Sequence, residues 1–333
     1  MDADSPSPDR ARAGGIVLSL LAVPLCAPIL RAHLDGPLRL PELRERISGA
    51  ATTTLRGQVG NLRAIGALER QVLPGVPYTV ENRLSECGHE ILEVAEQVEA
   101  WLSRAPQGPI ELGSEAAKGA IRALVGGWDS TVIQALAAEP LSLTELSASI
   151  GGLNYPALER RLSAMRVARQ IAVQPNASGQ AKPYAVTEWT RRAVGPLLAA
   201  GRCECRHLAE RAGPAVEDDI EAAFLLAIPL ATLSATKSGS CLLAVIEQSD
   251  GATADYDQAD GLRRVAGVRV EVSRGRVTSC VRDVEPGPGA SADGSVEAWT
   301  KAVVEGSLEE LRVGGGELAH PLIESIRSAL QPA

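Results

Sequence analysis

Apolar residues follow a helical rhythm in two places along this chain, and the two places correspond. Across Thr52–Ile65 the apolar positions Leu55, Val59, Leu62 and Ile65 step by four, three and three, which is one buried face of a helix. Displaced by 103 residues, Tyr155–Ala168 repeats the step with Leu158, Leu162 and Met165. The correspondence runs upstream without a gap: Leu25–Leu30 lies over Trp128–Ile133, Pro37–Leu43 over Pro140–Leu146, and Ile47 over Ile150. Downstream, Leu68 lies over Ile171. A displacement held for more than forty residues, with mostly apolar matches, predicts an internal structural repeat.

Each copy has the same predicted grammar. A short helix, Pro41–Ile47 or Thr144–Ile150 with Thr144 as its N-cap, is followed by a small-residue turn, Ser48–Ala50 or Gly151-Gly152. The longer helix comes next. Two strands then flank a loop rich in Pro or Gly: Ala67–Leu73, Pro74–Pro77 and Tyr78–Leu84 in the first copy, and Gln170–Gln174, Pro175–Lys182 and Pro183–Thr187 in the second. An amphipathic helix closes each unit, Ser85–Leu102 or Glu188–Ala200. Ahead of the first copy, the seventeen uncharged residues Gly14–Leu30 predict a buried first helix. Asp2, Asp4 and Asp9 in the leader and Pro24 and Pro28 in the run argue against an export signal or membrane anchor. Three helices and a two-stranded hairpin predict a winged helix-turn-helix, whose third helix enters a major groove while the hairpin reaches the flanking backbone.

The pattern changes after Ala200. Gly201–Pro214 reads as a linker, and its Cys203-Glu204-Cys205-Arg206-His207 run reads as a solvated helix end, because no second ligand pair follows at a distance zinc would need. Beyond it, Glu217–Leu233 predicts a helix interrupted at Pro229. Strands are predicted at Cys241–Gln248, Val265–Val272 and Arg276–Val284, the last two joined through Ser273-Arg274-Gly275. A mobile loop at Pro286–Gly289, a helix at Val296–Val304, a short strand at Leu311–Val313 and a last helix at Leu318–Leu330 complete it. The expected fold class is α+β. A disordered leader (1–14) precedes two tandem winged helix-turn-helix domains (15–105 and 115–205) and an α+β domain (215–331) with an antiparallel sheet covered by helices.

Composition narrows the function. In a chain of 333 residues with 45% hydrophobic residues, disorder as the general state is excluded, and with only 3% aromatics the cores must be built from Leu, Val, Ile and Ala. The six Cys are scattered, which fits a reducing cytoplasm and no disulfide framework. The formal net charge of −8 hides an asymmetry. Residues 31–83 carry a net +3 and residues 155–192 a net +5, whereas residues 208–333 carry a net −9. Two basic segments are thus followed by an acidic one. No phosphate loop, His-Glu-x-x-His or nucleophile elbow is present, so an enzyme is disfavoured and no metal or cofactor is implied.

The candidate DNA contacts lie off the buried faces of the longer helices. In the first copy they are Thr52, Thr53, Thr54, Arg56, Gln58, Asn61 and Arg63, with Arg70 on the hairpin. In the second they are Asn154, Tyr155, Arg160, Arg161 and Arg166, with Lys182. Hydroxyls and amides read base edges, and Arg reads guanine or binds phosphate.

The first copy resembles the HxlR-type winged-helix regulators, themselves similar to the MarR regulators. The resemblance rests on Ile29-Leu30-Arg31, Gly36–Leu43, Leu55 and Leu62, Gly66–Arg70, Pro74–Pro77, Leu84–Gly88 and Trp101-Leu102. It implies a transcriptional regulator that dimerises on double-stranded operator DNA. The second copy matches through Trp128, Leu146, Leu162 and Lys182–Trp189. Both depart from the family pattern: Gly60 and Ser163 stand where an Arg is usual, Leu25 where a Trp is usual, and Arg169-Gln170 replaces the Gly66-Ala67 turn. Gly57 and Gly60 each cost a helix about 1 kcal/mol relative to Ala.

The C-terminal third resembles the sterol-carrier-protein fold through Gly294-Ser295, Trp299, Gly306, Leu311, Gly314–Glu317 and Leu318. That resemblance implies an apolar chamber for a lipid or other apolar small-molecule effector, with Phe224, Leu225, Ile228, Trp299, Val303 and Leu322 as candidate lining; ordinary core is the favoured reading of each, and a domain that mediates assembly with no ligand stays open beside it. Two arrangements stay open, a homodimer or an intramolecular pseudo-dimer of the two copies. So does a rival function, a lipid or small-molecule carrier whose degenerate winged helices bind protein and never DNA. No membrane partner is expected.

Overall fold

The computed structural model describes residues 12–47, 49–74, 79–175, 182–211, 216–248 and 262–330. The leader through residue 11, both hairpin loop tips (75–78 and 176–181) and Gly213-Pro214 lie outside the described residues.

The apolar run at the start forms two helices and not one. Helix α1 (Gly15–Leu21) and helix α2 (Cys26–Ala32) meet at 84°, with Pro24 in the turn between them. Proline has no N–H for the helical ladder and its ring clashes with the preceding turn, so the run breaks there. Among the described residues no single helix is long and apolar enough to cross a membrane. Helix α3 (Leu40–Arg46), helix α4 (Thr52–Ala64), strands β1 (Leu68–Leu73) and β2 (Thr79–Leu84) and helix α5 (Glu86–Ser103) follow in the expected order. The antiparallel β1–β2 hairpin gains a third partner in Leu38, which exchanges two 2.9 Å hydrogen bonds with Asn82.

The element order recurs further along. Helix α6 (Glu115–Val125), which the pattern reading above did not anticipate, precedes α7 (Gly127–Ala138), α8 (Leu143–Ser149) and α9 (Tyr155–Val167). Strands β3 (Ile171–Val173) and β4 (Tyr184–Val186) form a shorter antiparallel hairpin, and Leu141 pairs with Tyr184 as Leu38 does with Asn82. Helix α8 starts one residue earlier than expected, and its cap is Ser142, not Thr144. The Glu145 N–H donates to the Ser142 hydroxyl (3.3 Å), and the Glu145 carboxylate accepts from the Ser142 N–H (2.7 Å). Glu42 does the same for the Arg39 N–H at the head of α3 (2.8 Å). The closing helix is broken at Ala193 into α10 (Glu188–Arg192) and α11 (Val194–His207). The Cys203–His207 run is therefore the end of α11 and not linker, and Cys203 and Glu204 are buried, not solvated.

Helix α12 (Glu217–Ala227) ends in a 3-10 turn, Ile228–Leu230, where Pro229 stops the α-helix. Five strands then build one sheet in the order β7-β6-β5-β8-β9: β5 (Gly239–Gln248), β6 (Leu262–Ser273), β7 (Arg276–Arg282), β8 (Ala290–Gly294) and β9 (Arg312–Gly314). The sheet is not wholly antiparallel, because β5 pairs parallel with β8, a strand absent from the sequence reading. Arg274 and Gly275 (φ +49° and +75°) make the β6–β7 turn, the left-handed pair that a tight hairpin of matched twist requires. Helix α13 (Val296–Thr300) continues as a π-type turn, Lys301–Glu305, and helix α14 (Ala319–Leu330) closes the chain. Helices α12, α13 and α14 pack on the sheet, with Trp299 fully buried and its indole N–H donating to the Ala244 carbonyl (2.8 Å).

Candidate nucleic-acid interface

Helix α4 is held by one face. Leu55, Val59 and Leu62 are buried, and on the other side Thr53, Thr54, Arg56, Asn61 and Arg63 are exposed. Thr52 and Gln58 are half-buried, and the Gln58 Oε1 is buried with no hydrogen-bond partner. Gly57 and Gly60 lie on the exposed side, and a methyl group added at either would meet nothing within 4 Å. Packing therefore does not require these glycines. They strip side chains from a polar surface and leave helix backbone open to a close neighbour.

The surrounding arginines sort into two sets. Arg31, Arg39, Arg46 and Arg83 are each paired with a carboxylate, to Glu99, Glu42, Asp35 and Glu69 respectively. Among the described residues Arg44 on α3, Arg56 and Arg63 on α4 and Arg70 on β1 have no ion pair, although all four are exposed. An unpaired surface guanidinium keeps its donor fork available for a phosphate or a guanine edge.

The equivalent surface on α9 is more occupied. The Asn154 Oδ1 accepts the Ala157 N–H (2.9 Å) and so caps its own helix. Arg161 is tied to Asp129 of α7 (2.9 Å), and the Arg160 Nε lies 3.4 Å from the Pro156 carbonyl. Tyr155 (47% exposed), Arg166 and Lys182 face solvent, and so does Val167, 82% exposed beside Arg166.

Helices α5 and α11 bring these two surfaces into one body. Trp101 of α5 and Trp189 of α10 stack with ring centroids 5.0 Å apart and planes 13° apart. Each indole N–H donates to the other residue's carbonyl, at 2.8 and 3.1 Å. Glu90 of α5 meets Arg206 and His207 of α11. The Cys87 and Cys203 thiols touch across the same junction, which with burial holds Cys203 well above its ordinary value. The Glu204 carboxylate reaches the start of α1, accepting the Gly14 and Val17 N–H groups at 2.8 and 2.7 Å. Burial pushes the Glu204 pKa up, and those backbone donors pull it back. Sequence reading missed this bond because the run around Glu204 looked like a solvated end. Among the described residues no group of His, Cys, Asp or Glu is placed to hold a metal ion.

The junction of α10 with α7 and α12 is also held by a cation. The Arg191 guanidinium donates to the Leu225 carbonyl (2.7 Å) and the Ala137 carbonyl (3.2 Å), at the C-terminal ends of α12 and α7. A cation at two helix C-termini is favoured by both dipoles. Around the five-stranded sheet the six residues expected to line a chamber are core: Phe224, Leu225, Ile228, Trp299, Val303 and Leu322 are all buried. Phe224 meets Trp299 edge-on at 4.7 Å. Phe224, Trp299 and Val303 border a hollow of about 10 Å³, and the other three do not. That is room for about one water molecule.

A family profile described as HxlR-like helix-turn-helix matches residues 26–107. The HTH-type transcriptional regulator YodB of Bacillus subtilis (strain 168) is 33% identical over 73 residues, covering 22% of this chain and 65% of YodB. The chain thus spans just under two thirds of that curated relative. Two solved YodB structures from B. subtilis are also similar. The diamide-treated form is 30% identical over 29% of this chain and 92% of its own, with a TM-score of 0.26. The reduced form is 29% identical over 28% and 90%, with a TM-score of 0.26. From α2 through α5, with α4 and the β1–β2 hairpin at its exposed side, this protein carries an HxlR-like helix-turn-helix domain.

Proposed function

We propose that this protein is a DNA-binding transcriptional regulator and not an enzyme, working in the cytoplasm. The observation that carries the reading is the set of exposed arginines Arg56, Arg63 and Arg70, without an ion pair among the described residues, on the long helix and hairpin of the HxlR-like domain. In this reading α4 enters a major groove. Thr52, Thr53, Thr54 and Asn61 face base edges, Gln58 turns its buried carbonyl oxygen away from them, and Arg70 meets flanking phosphate.

The finer assignments follow from the geometry around that domain. Residues 115–205 act as a second winged helix, supported by the recurrence of the element order, the hairpin bridge and the Glu-to-backbone cap 103 residues on. The two copies form an intramolecular pseudo-dimer, because α5 and α1 already spend their apolar faces on α11 and α6. The second copy contributes Tyr155, Arg160, Arg166 and Lys182 to DNA, whereas Arg161 and Asn154 have structural partners. A pseudo-dimer of unlike halves reads two unlike half-sites. Residues 215–331 form a sterol-carrier-like domain, with a helix-covered five-stranded sheet as support, and Arg191 couples it to the DNA-binding part.

Selection of fragmented genomic DNA on the full chain, followed by titrations across salt, tests this. A recovered common site with log K falling by about 0.9 per neutralised phosphate against log salt is expected. No enrichment and no salt dependence would overturn the assignment and leave the protein-binding carrier reading.

A further inference from the structure

A larger cleft, adjoining the small hollow beside Phe224 and Trp299 through Leu198, Ile220, Ala223 and Thr300, opens where α7, α11 and α12 converge. It has a volume of about 50 Å³. Its walls come from Leu124 of α6, Ile133 of α7, Leu198 of α11 and Leu226 of α12, so parts of the second unit and of the C-terminal domain close on one another there. The hydroxyls on its lining are already used within their own helices: Ser130 donates to the Gly127 carbonyl (2.9 Å) and Thr300 to the Val296 carbonyl (2.8 Å). Arg12 and Asp219 also line the cleft and are engaged in polar contacts of their own. Arg202 differs. It lines the cleft from α11, and its Nε is buried with no hydrogen-bond partner among the described residues.

A buried guanidinium N–H without an acceptor is costly, and the cost disappears when an anion arrives. An apolar cleft with one unanswered cationic donor selects a molecule with an apolar body and an acidic head. We propose that this cleft is a binding site for a medium-chain carboxylic acid, whose carboxylate pairs with Arg202 and whose alkyl end lies among Leu124, Ile133, Leu198 and Leu226. The enclosed volume holds on the order of four water-sized groups, so the deepest carbons are enclosed and the rest of the chain lies in the open part of the cleft. The proposal concerns binding alone and does not rest on the DNA-binding reading.

The test is calorimetric titration of the full chain, without DNA, using octanoate, octanol and octylamine. Octanoate is expected to bind at least tenfold tighter than either analogue. Arg202→Gln is expected to erase that preference while its thermal melt stays at or above that of the parent, since Arg202 has no partner to give up among the described residues. Gln134→Trp, a half-buried position on the cleft wall, is expected to block octanoate with Arg202 still present. Equal binding of the three probes, preference for octylamine (which would mark Asp219), or no octanoate binding at millimolar concentration would overturn the proposal. So would octanoate binding unchanged in both variants.

Discussion

Gly66 and Arg169 lie 103 positions apart, and both hold left-handed backbone, with φ of +82° and +59°, at the junction between a long helix and its hairpin. The carbonyl of each accepts a hydroxyl at the head of the helix that follows the hairpin: Ser85 to Gly66 (2.5 Å) and Thr187 to Arg169 (2.8 Å). The turn is the same, but glycine makes it at no steric cost and arginine does not. Left-handed backbone costs a side-chain-bearing residue roughly 1–2 kcal/mol, offset in part by the extra freedom glycine has when unfolded. Arg169→Gly should therefore stabilise the protein by about 0.5–1 kcal/mol in urea unfolding, and Gly66→Ala should destabilise it by about the same amount. A destabilised Arg169→Gly would show that the arginine makes a contact worth more than the strain.

Gly57 and Gly60 offer an opposite trade. Neither is needed for packing and neither has positive φ, so Ala at each should add about 1 kcal/mol of stability. If the bare face of α4 is where DNA backbone approaches, the same substitutions weaken DNA binding. Stability that rises with affinity unchanged would remove these glycines from the interface.

Arg56→Ala, Arg63→Ala and Arg70→Ala should leave stability within about 0.5 kcal/mol, because none of the three has an ion pair to lose among the described residues. Each phosphate-binding arginine removed should lower the salt slope of DNA binding by about 1. Arg161→Ala is the internal control. It breaks a half-buried pair with Asp129 and should cost up to about 1 kcal/mol of stability, with little effect on the slope.

Trp101→Ala and Trp189→Ala should each cost about 3–5 kcal/mol, and the double variant much less than their sum, because either change dismantles the same stack and both indole bonds. Additive losses in a double-mutant cycle would deny that the pair acts as one unit.

His33 sets a pH dependence. Its Nδ1–H donates to the Ile29 carbonyl (2.8 Å), its Nε2 is buried without a partner among the described residues, and burial lowers its pKa, with Arg46 adding to the effect. With a folded pKa below the ordinary 6.5, the unfolded chain binds the proton first as pH falls. The contribution to stability is thus complete above pH 6.5 and is lost as pH drops from there toward the folded pKa. His33→Leu should flatten that part of the stability profile, and an unchanged slope would assign it to another group.

Much of the architecture was legible because hydrophobic spacing is a local signal. Leu55, Val59 and Leu62, and again Leu158, Leu162 and Met165, are buried as their spacing predicts. The same 103-residue displacement also sets the buried Leu18 and Leu21 of α1 over Ile121 and Leu124 of α6, so the helix that went unforeseen carried a readable signal. Strand β8 carried little. Ala290–Gly294 is five small or polar residues, and its place beside β5 comes from pairing across some fifty positions.

What the sequence determined by itself, then, was the repeated helices and hairpins and most of the strands of the sheet, but not β8, because periodicity, caps and prolines act within a few residues of one another. Tertiary structure alone decided which polar groups remain free. Arg161 and Arg63 look alike in sequence, yet Asp129 claims the first and nothing among the described residues claims the second. Glu204 reads as a solvated charge until folding sets it at the head of α1. Phe224 and Trp299 could be core or chamber wall in the sequence, and folding packs them edge-on against each other beside a hollow of only about 10 Å³. Partners like these come from distant parts of the chain, and their energies depend on burial, which only the folded state supplies.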